Sequence, residues 1–184
     1  MKRYIRDYSI LVLVAGVVIA LDQWTKFLVR QYVPMSTIWM PAGLEWLTPY
    51  ARIVHWYNTG VAFGMFQGLG GIFTVLAFLV ALAIIYYYPQ IPHEDWTLRA
   101  AMGLMLGGAL GNLVDRLFRG QVTDFISIGN FPVFNIADSG ITVGVIIMVL
   151  GVYVQDMMKK RMDKAAAQVE SQTPVDPDHR PLDE

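Results

Sequence analysis

Between Leu69 and Tyr88 the chain carries no charged residue, and the run closes on Tyr86-Tyr87-Tyr88-Pro89. As a helix, such a stretch is long and apolar enough to cross a bilayer, and it ends in boundary aromatics and a helix-stopping proline. Three further segments are apolar enough to span although each carries some charge, at about residues 8–29, 98–117 and 136–154. The 184-residue chain is 55% hydrophobic and 16% charged, with mean hydropathy +0.43, too apolar for a soluble domain of its length. The sequence therefore predicts an all-α membrane protein with four transmembrane helices in one domain, residues 1–158. The rest, 159–184, begins with the basic run KKRMDK and reads as a positive membrane stop followed by a disordered tail.

Lys2, Arg3 and Arg6 ahead of the run Ile10 to Leu21 resemble the start of a secretory signal peptide. The following Asp22-Gln23-Trp24-Thr25-Lys26 lacks a small-x-small cleavage pattern, so this helix is predicted to be retained. Residues 30–68 hold Trp39, Trp46, Tyr50, Trp56 and Tyr57, aromatics suited to a membrane–water boundary, and should form a surface element of sheet and loop. Within it Arg52 to Tyr57 reads as sheet and Asn58-Thr59-Gly60 as a turn. Gly60, Gly64 and Gly68 recur every four residues and read as loop. Gly103, Gly107 and Gly111 keep the same spacing inside an apolar run and read as a helix-packing face.

Charge placement sets the topology. Four spans put both termini on one side, together with Lys2, Arg3, Arg6, Arg99, Lys159, Lys160, Arg161 and Lys164. The other side holds Lys26, Arg30, Arg52, Arg116 and Arg119, so the termini are predicted to be cytoplasmic. On that reading Asp22, Lys26, Asn58, Asn112, Asp115, Arg116, Asp124, Asn135 and Asp138 all fall toward the outer face, although they are spread along the sequence. Three of the acids lie in one stretch, Gly111 to Gly140, between two apolar segments. Acids near bilayer depth are costly and face cavities where they persist.

The absence of cysteine excludes disulfides, thiolate metal ligands and a cysteine nucleophile. His55, His93 and His179 are isolated from one another and no H-E-x-x-H helix occurs, so the sequence offers no metal motif and each histidine reads as a loop or interfacial residue. No basic, aromatic-laced stretch suits nucleic acid. Two acids in a poorly hydrated site cannot both ionise cheaply, so one keeps a proton. The pair can then activate water and protonate a leaving amine, which is peptide hydrolysis by carboxyl groups without a cofactor. Asn58, Asn112 and Asn135 suit the substrate backbone as amide partners. A proton-coupled carrier is the rival reading, and it predicts polar groups at the midplane and repeated halves, which this sequence lacks.

DQWTK at Asp22 to Lys26, NTGVAFG at Asn58 to Gly64, GNLVDR at Gly111 to Arg116, VTDF at Val122 to Phe125 and FNIADS at Phe134 to Ser139 resemble the motifs of bacterial lipoprotein signal peptidase, signal peptidase II. The resemblance spans about Tyr8 to Val154, with the motifs in order. It implies a four-helix aspartyl peptidase of the bacterial inner membrane, with its active site toward the periplasm. The implied reaction removes signal peptides from diacylglyceryl-modified prolipoproteins, on the N-terminal side of the lipidated cysteine. Asp124 and Asp138 are the implied catalytic pair, with support from Asp22, Lys26, Asn58, Gly60, Asn112, Asp115, Arg116 and Asn135. Membrane lipid, globomycin-type inhibition and a monomeric state belong to the same expectation.

Overall fold

The computed structural model describes residues 8–60 and 68–172. Lys2, Arg3, Arg6, Gly64, His179 and the three prolines beyond Gln172 lie outside them. Four long helices form: α1 (Ser9–Tyr32), α2 (Gly70–Tyr87), α3 (Trp96–Arg119) and α4 (Ile136–Gln172). All four are long and apolar enough to cross a membrane. Helix α2 stops in a 3-10 turn, Tyr88–Gln90, with Pro89 at its start. Helix α3 is capped by Asp95, whose side chain accepts from the Leu98 N–H at 3.0 Å, and ends at Gly120 in the left-handed conformation. Both signals suit a helix that must start and stop sharply. Helix α4 continues to Gln172, where the sequence reading ends the span near residue 154. Beyond Val149 it carries an Asp156–Lys160 ion pair one turn apart.

Small residues bring the helices together. A Cβ added at Gly107 would sit 2.7 Å from the Val18 side chain, and one at Gly108 would run into the Ala137 carbonyl oxygen. Helix α3 thus lies backbone-close to α1 on one face and to α4 on another, the packing that a bilayer favours. At the end away from the acids, Tyr8 stacks on Tyr88 at 5.3 Å, and the buried Arg99 lies 4.5 Å over the same ring while donating to its hydroxyl at 3.2 Å.

At the other end lies a three-stranded antiparallel sheet of β1 (Ile38–Trp39), β2 (Ala51–Asn58) and β3 (Val122–Ile128), with β2 in the centre. The strand expected over residues 52–57 is present. Strand β3 is additional: it lies between the third and fourth spans, where the sequence predicts no strand. Ile53 pairs with Ile126 but Trp56 pairs with Asp124, so Val54 and His55 stand opposite Phe125 alone. This bulge shifts the register by one residue and thereby turns Asn58 onto the face that carries Asp124. His55, read from sequence as a loop or interfacial residue, is buried on β2 and bonds through Nδ1 to the Val33 carbonyl at 2.8 Å. That contact fastens the sheet to the end of α1.

Candidate active site

Each acid reaches the site by its own local device. Asp124 is the third residue of β3, held on its strand by β2. After β3 the chain folds back, and Phe134 exchanges backbone hydrogen bonds with Ile126 at 2.8 and 3.0 Å. The return delivers Asn135, the residue ahead of α4, to the side of Asp124. Asn135 Oδ1 accepts the Asp138 N–H at 3.0 Å while Asp138 Oδ2 accepts the Asn135 N–H at 3.2 Å. This reciprocal cap fixes Asp138 in the first turn of α4.

Amides join the two acids. Asn135 Nδ2 donates to Asp124 Oδ1 at 2.7 Å and to Asn112 Oδ1 at 3.1 Å, and Asn112 Nδ2 donates to Asp138 Oδ1 at 2.7 Å. Asn58 Nδ2 holds the second Asp124 oxygen at 3.0 Å, and its own carbonyl accepts the Gly60 N–H at 2.9 Å in a tight turn. Both acids line a cavity of about 520 Å³ with Asn58, Gly60, Asn112 and Arg116. Arg116 donates to the Gly60 carbonyl at 3.4 Å. Phe131 to Phe134 and Val143 make the cavity's other wall apolar. Burial, and then the neighbouring charge of Asp138, push the Asp124 carboxyl up to about 7, against hydrogen bonds from Asn58 and Asn135 and the charge of Lys26.

Asp22 and Asp115 are turned away from the cavity. Both meet the ammonium of Lys26, at 2.8 and 3.1 Å, and all three side chains have no exposed surface. Asp22 Oδ1 also accepts the Ala137 N–H at 2.9 Å, and Asp115 Oδ2 accepts the Thr123 N–H at 3.1 Å. The structure thus separates two carboxyl groups that line a cavity from two that sit behind it in an ion-pair network.

Set beside known proteins, residues 14–154 match the family model described as Signal peptidase (SPase) II. The lipoprotein signal peptidase of Halalkalibacterium halodurans is 38% identical over 159 residues, 84% of this chain and 97% of that protein. The lipoprotein signal peptidase of Geobacillus thermodenitrificans is 42% identical over 146 residues, 77% and 88% respectively. The chain belongs to the signal peptidase II family. A bacterial membrane enzyme solved by the in meso method is 28% identical with a TM-score of 0.73, covering 82% of this chain and 90% of that one. Membership makes the chain a peptidase, and the four apolar helices make it a multi-pass membrane protein.

The ten residues expected at the site, Asp22, Lys26, Asn58, Gly60, Asn112, Asp115, Arg116, Asp124, Asn135 and Asp138, lie in this one region, either on the cavity wall or in the network behind it. The sequence alone assigns no place in the site to Arg30, Arg119, Thr123 or Gln23. Arg30 Nη1 donates to Thr123 Oγ1 at 3.1 Å and lies 3.6 Å from Asp115 Oδ1, which Arg119 approaches at 4.0 Å. Gln23 Nε2 bridges Asp22 and the Gly111 carbonyl at 3.1 and 3.0 Å. Helical spacing offered a signal, since Lys26 to Arg30 and Asp115 to Arg119 are both four apart.

Proposed function

We propose that the chain removes the signal peptide from diacylglyceryl-modified prolipoproteins by an aspartyl mechanism, cutting on the N-terminal side of the lipidated cysteine. The observation that carries this reading is that Asp124 and Asp138 share the cavity and are tied together through Asn112 and Asn135. With Asp124 raised to about 7, a neutral solution leaves its carboxyl partly protonated. Asp138 takes a proton from water as the water oxygen attacks the scissile carbonyl carbon, and protonated Asp124 donates to the carbonyl oxygen. Collapse of the tetrahedral intermediate returns one of its hydroxyl protons to Asp124 as the C–N bond breaks, and Asp138 passes the proton that it took from water to the leaving nitrogen. Arg116 beside both acids stabilises the developing negative charge.

Asn58 at the end of β2 and Gly60 in the turn after it border the cavity, where an unwound, extended segment of substrate can lie against backbone groups. We place this end of the bundle toward the periplasm of the bacterial inner membrane, with both termini cytoplasmic, because of the positive charge on the opposite side. Globomycin-type peptides should occupy the same cavity. The decisive experiment incubates purified protein with a diacylglyceryl-modified precursor and with the unmodified form. Loss of the signal peptide mass from the first alone is the expected result. Cleavage of both equally, or of neither, refutes the assignment.

A further inference from the structure

Lys26 has a feature that an ordinary ion pair lacks. Its ammonium has three hydrogens and no acceptor, and all three are committed, to Asp22 Oδ2 at 2.8 Å, Asp115 Oδ2 at 3.1 Å and Asn112 Oδ1 at 2.9 Å. Each partner then does one thing for the acids. Asp22 holds the N–H of Ala137, the residue before Asp138, and Asp115 holds the N–H of Thr123, the residue before Asp124. Asn112 donates its Nδ2 to Asp138. An amide facing an ammonium must present its oxygen, so Lys26 also dictates which end of Asn112 points at the acid.

Resting on the assignment of Asp124 and Asp138 as the catalytic pair, we propose that Lys26 is a positioning residue that sets both acids at once, through Asp22, Asp115 and the orientation of the Asn112 amide. The three contacts converge from α1, α3 and, through the backbone N–H groups, β3 and α4, which are the elements that carry the site. Stability alone is a weak reason for such an arrangement. Buried ion pairs gain little net stability over apolar packing of the same volume, whereas a fixed geometry is lost when a hub is removed. With its hydrogens all donated, Lys26 is not placed to act as a base.

The test compares the full-length parent with Lys26→Met and with the triple variant Asp22→Asn, Lys26→Met, Asp115→Asn, whose interior keeps none of the three charges. Turnover of a lipidated precursor is measured across pH, with melting temperature and precursor binding as checks on folding. Both variants should lose kcat by about 100-fold, the scale of a displacement near 1 Å at reacting groups, with KM changed less than about threefold. The charged groups facing Asp124 are Asp138, Arg116 and Lys26. Removing the cation at Lys26 should therefore move the alkaline limb of the Lys26→Met profile to higher pH. A folded triple variant at the parental rate overturns the proposal, and so does a Lys26→Met loss that only tracks the amount of folded protein with the limb unmoved. Failure of both variants to fold also overturns it, since Lys26 would then hold the fold and not the acids. Asp124→Asn and Asp138→Asn serve as controls: if these retain turnover, the assignment of the pair fails, independently of Lys26.

Discussion

Helix α3 is buried in two different ways along its length. In its body, at Gly107 and Gly108, close approach of backbone to α1 and α4 leaves no room for a methyl group. One turn on, the same helix presents Asn112, Asp115 and Arg116, whose partners include a carboxylate, a backbone carbonyl, an ammonium and a guanidinium group. Gly111 marks the junction, because a Cβ there would lie 2.8 Å from Asp22 Oδ2. The glycine row that brings helices together thus continues as the space that admits a carboxylate. Helices in lipid associate well through small residues alone, so the expensive polar end calls for a functional explanation.

The largest effect should come from the cavity acids. Asp124→Asn and Asp138→Asn should each lower turnover by roughly a thousandfold or more, with the double variant little worse, because each single change disables the same unit. Retained precursor binding would show that the loss is chemical, and additive losses would break the pairing. Parental turnover should fall as pH rises through about 7, where Asp124 gives up the proton that it donates. The sign for stability follows from the same shift. Folded Asp124 holds its proton above the ordinary value of 3.8, so this group's stabilisation is full at low pH and is lost as pH rises toward 7. Above pH 7, Asp124→Asn should therefore melt at a higher temperature than the parent while being inactive.

Asp115→Asn should come next, lowering turnover by about 10- to 100-fold and leaving measurable activity, because the amide keeps one acceptor for the Thr123 N–H. The cost arises behind the cavity and not in it. Complete loss in a folded Asp115→Asn protein, with turnover surviving in Asp124→Asn, would exchange the roles of the two acids.

The contrast within α3 also explains what could be read from the sequence. Apolar runs decide membrane helices almost alone, so the four spans were legible, and β-branched and aromatic residues marked β2. Strand β3 was not legible. VTDFISI sits between two spans, and only its partner, more than sixty residues earlier, makes it a strand. The bulge opposite Phe125 depends on that pairing and was equally hidden, although it decides which face Asn58 occupies. Topology predicted that the polar residues converge. It did not separate Asp22 and Asp115 from the two acids at the cavity, because a carboxylate's direction depends on partners that sequence spacing does not name. Arg30 and Arg119 were visible at helical spacing, but charges at a helix end commonly face water or headgroups.

In the body of α3, Gly108→Ala should lower stability by about 1–3 kcal/mol, since the added methyl meets the Ala137 backbone and not a side chain that can turn aside. Displacing Ala137 also displaces Asp138 beside it, so kcat should fall along with the melting temperature. An unchanged melting temperature would show that α3 and α4 are not locked at this point.

The smallest effect belongs to α2, which sharpens the comparison because it has neither a glycine seam along its length nor a polar end. Within its helical length it buries Ala81 and Ile84, while Phe78 and Val75 are 53% and 59% exposed in the isolated chain. Lipid tails are as apolar as these side chains, so a helix face turned to lipid is indifferent to which apolar residue it shows. Phe78→Leu should therefore change stability by less than about 0.5 kcal/mol and leave turnover within twofold. The measurement is a melting curve and a rate in the same lipid. A loss of 2 kcal/mol or more would mean that Phe78 meets protein and not lipid, and the surface available for that contact is a second copy of the chain. Chemical cross-linking of the parent would then be expected to trap a dimer through α2, and the monomeric reading would fail with it.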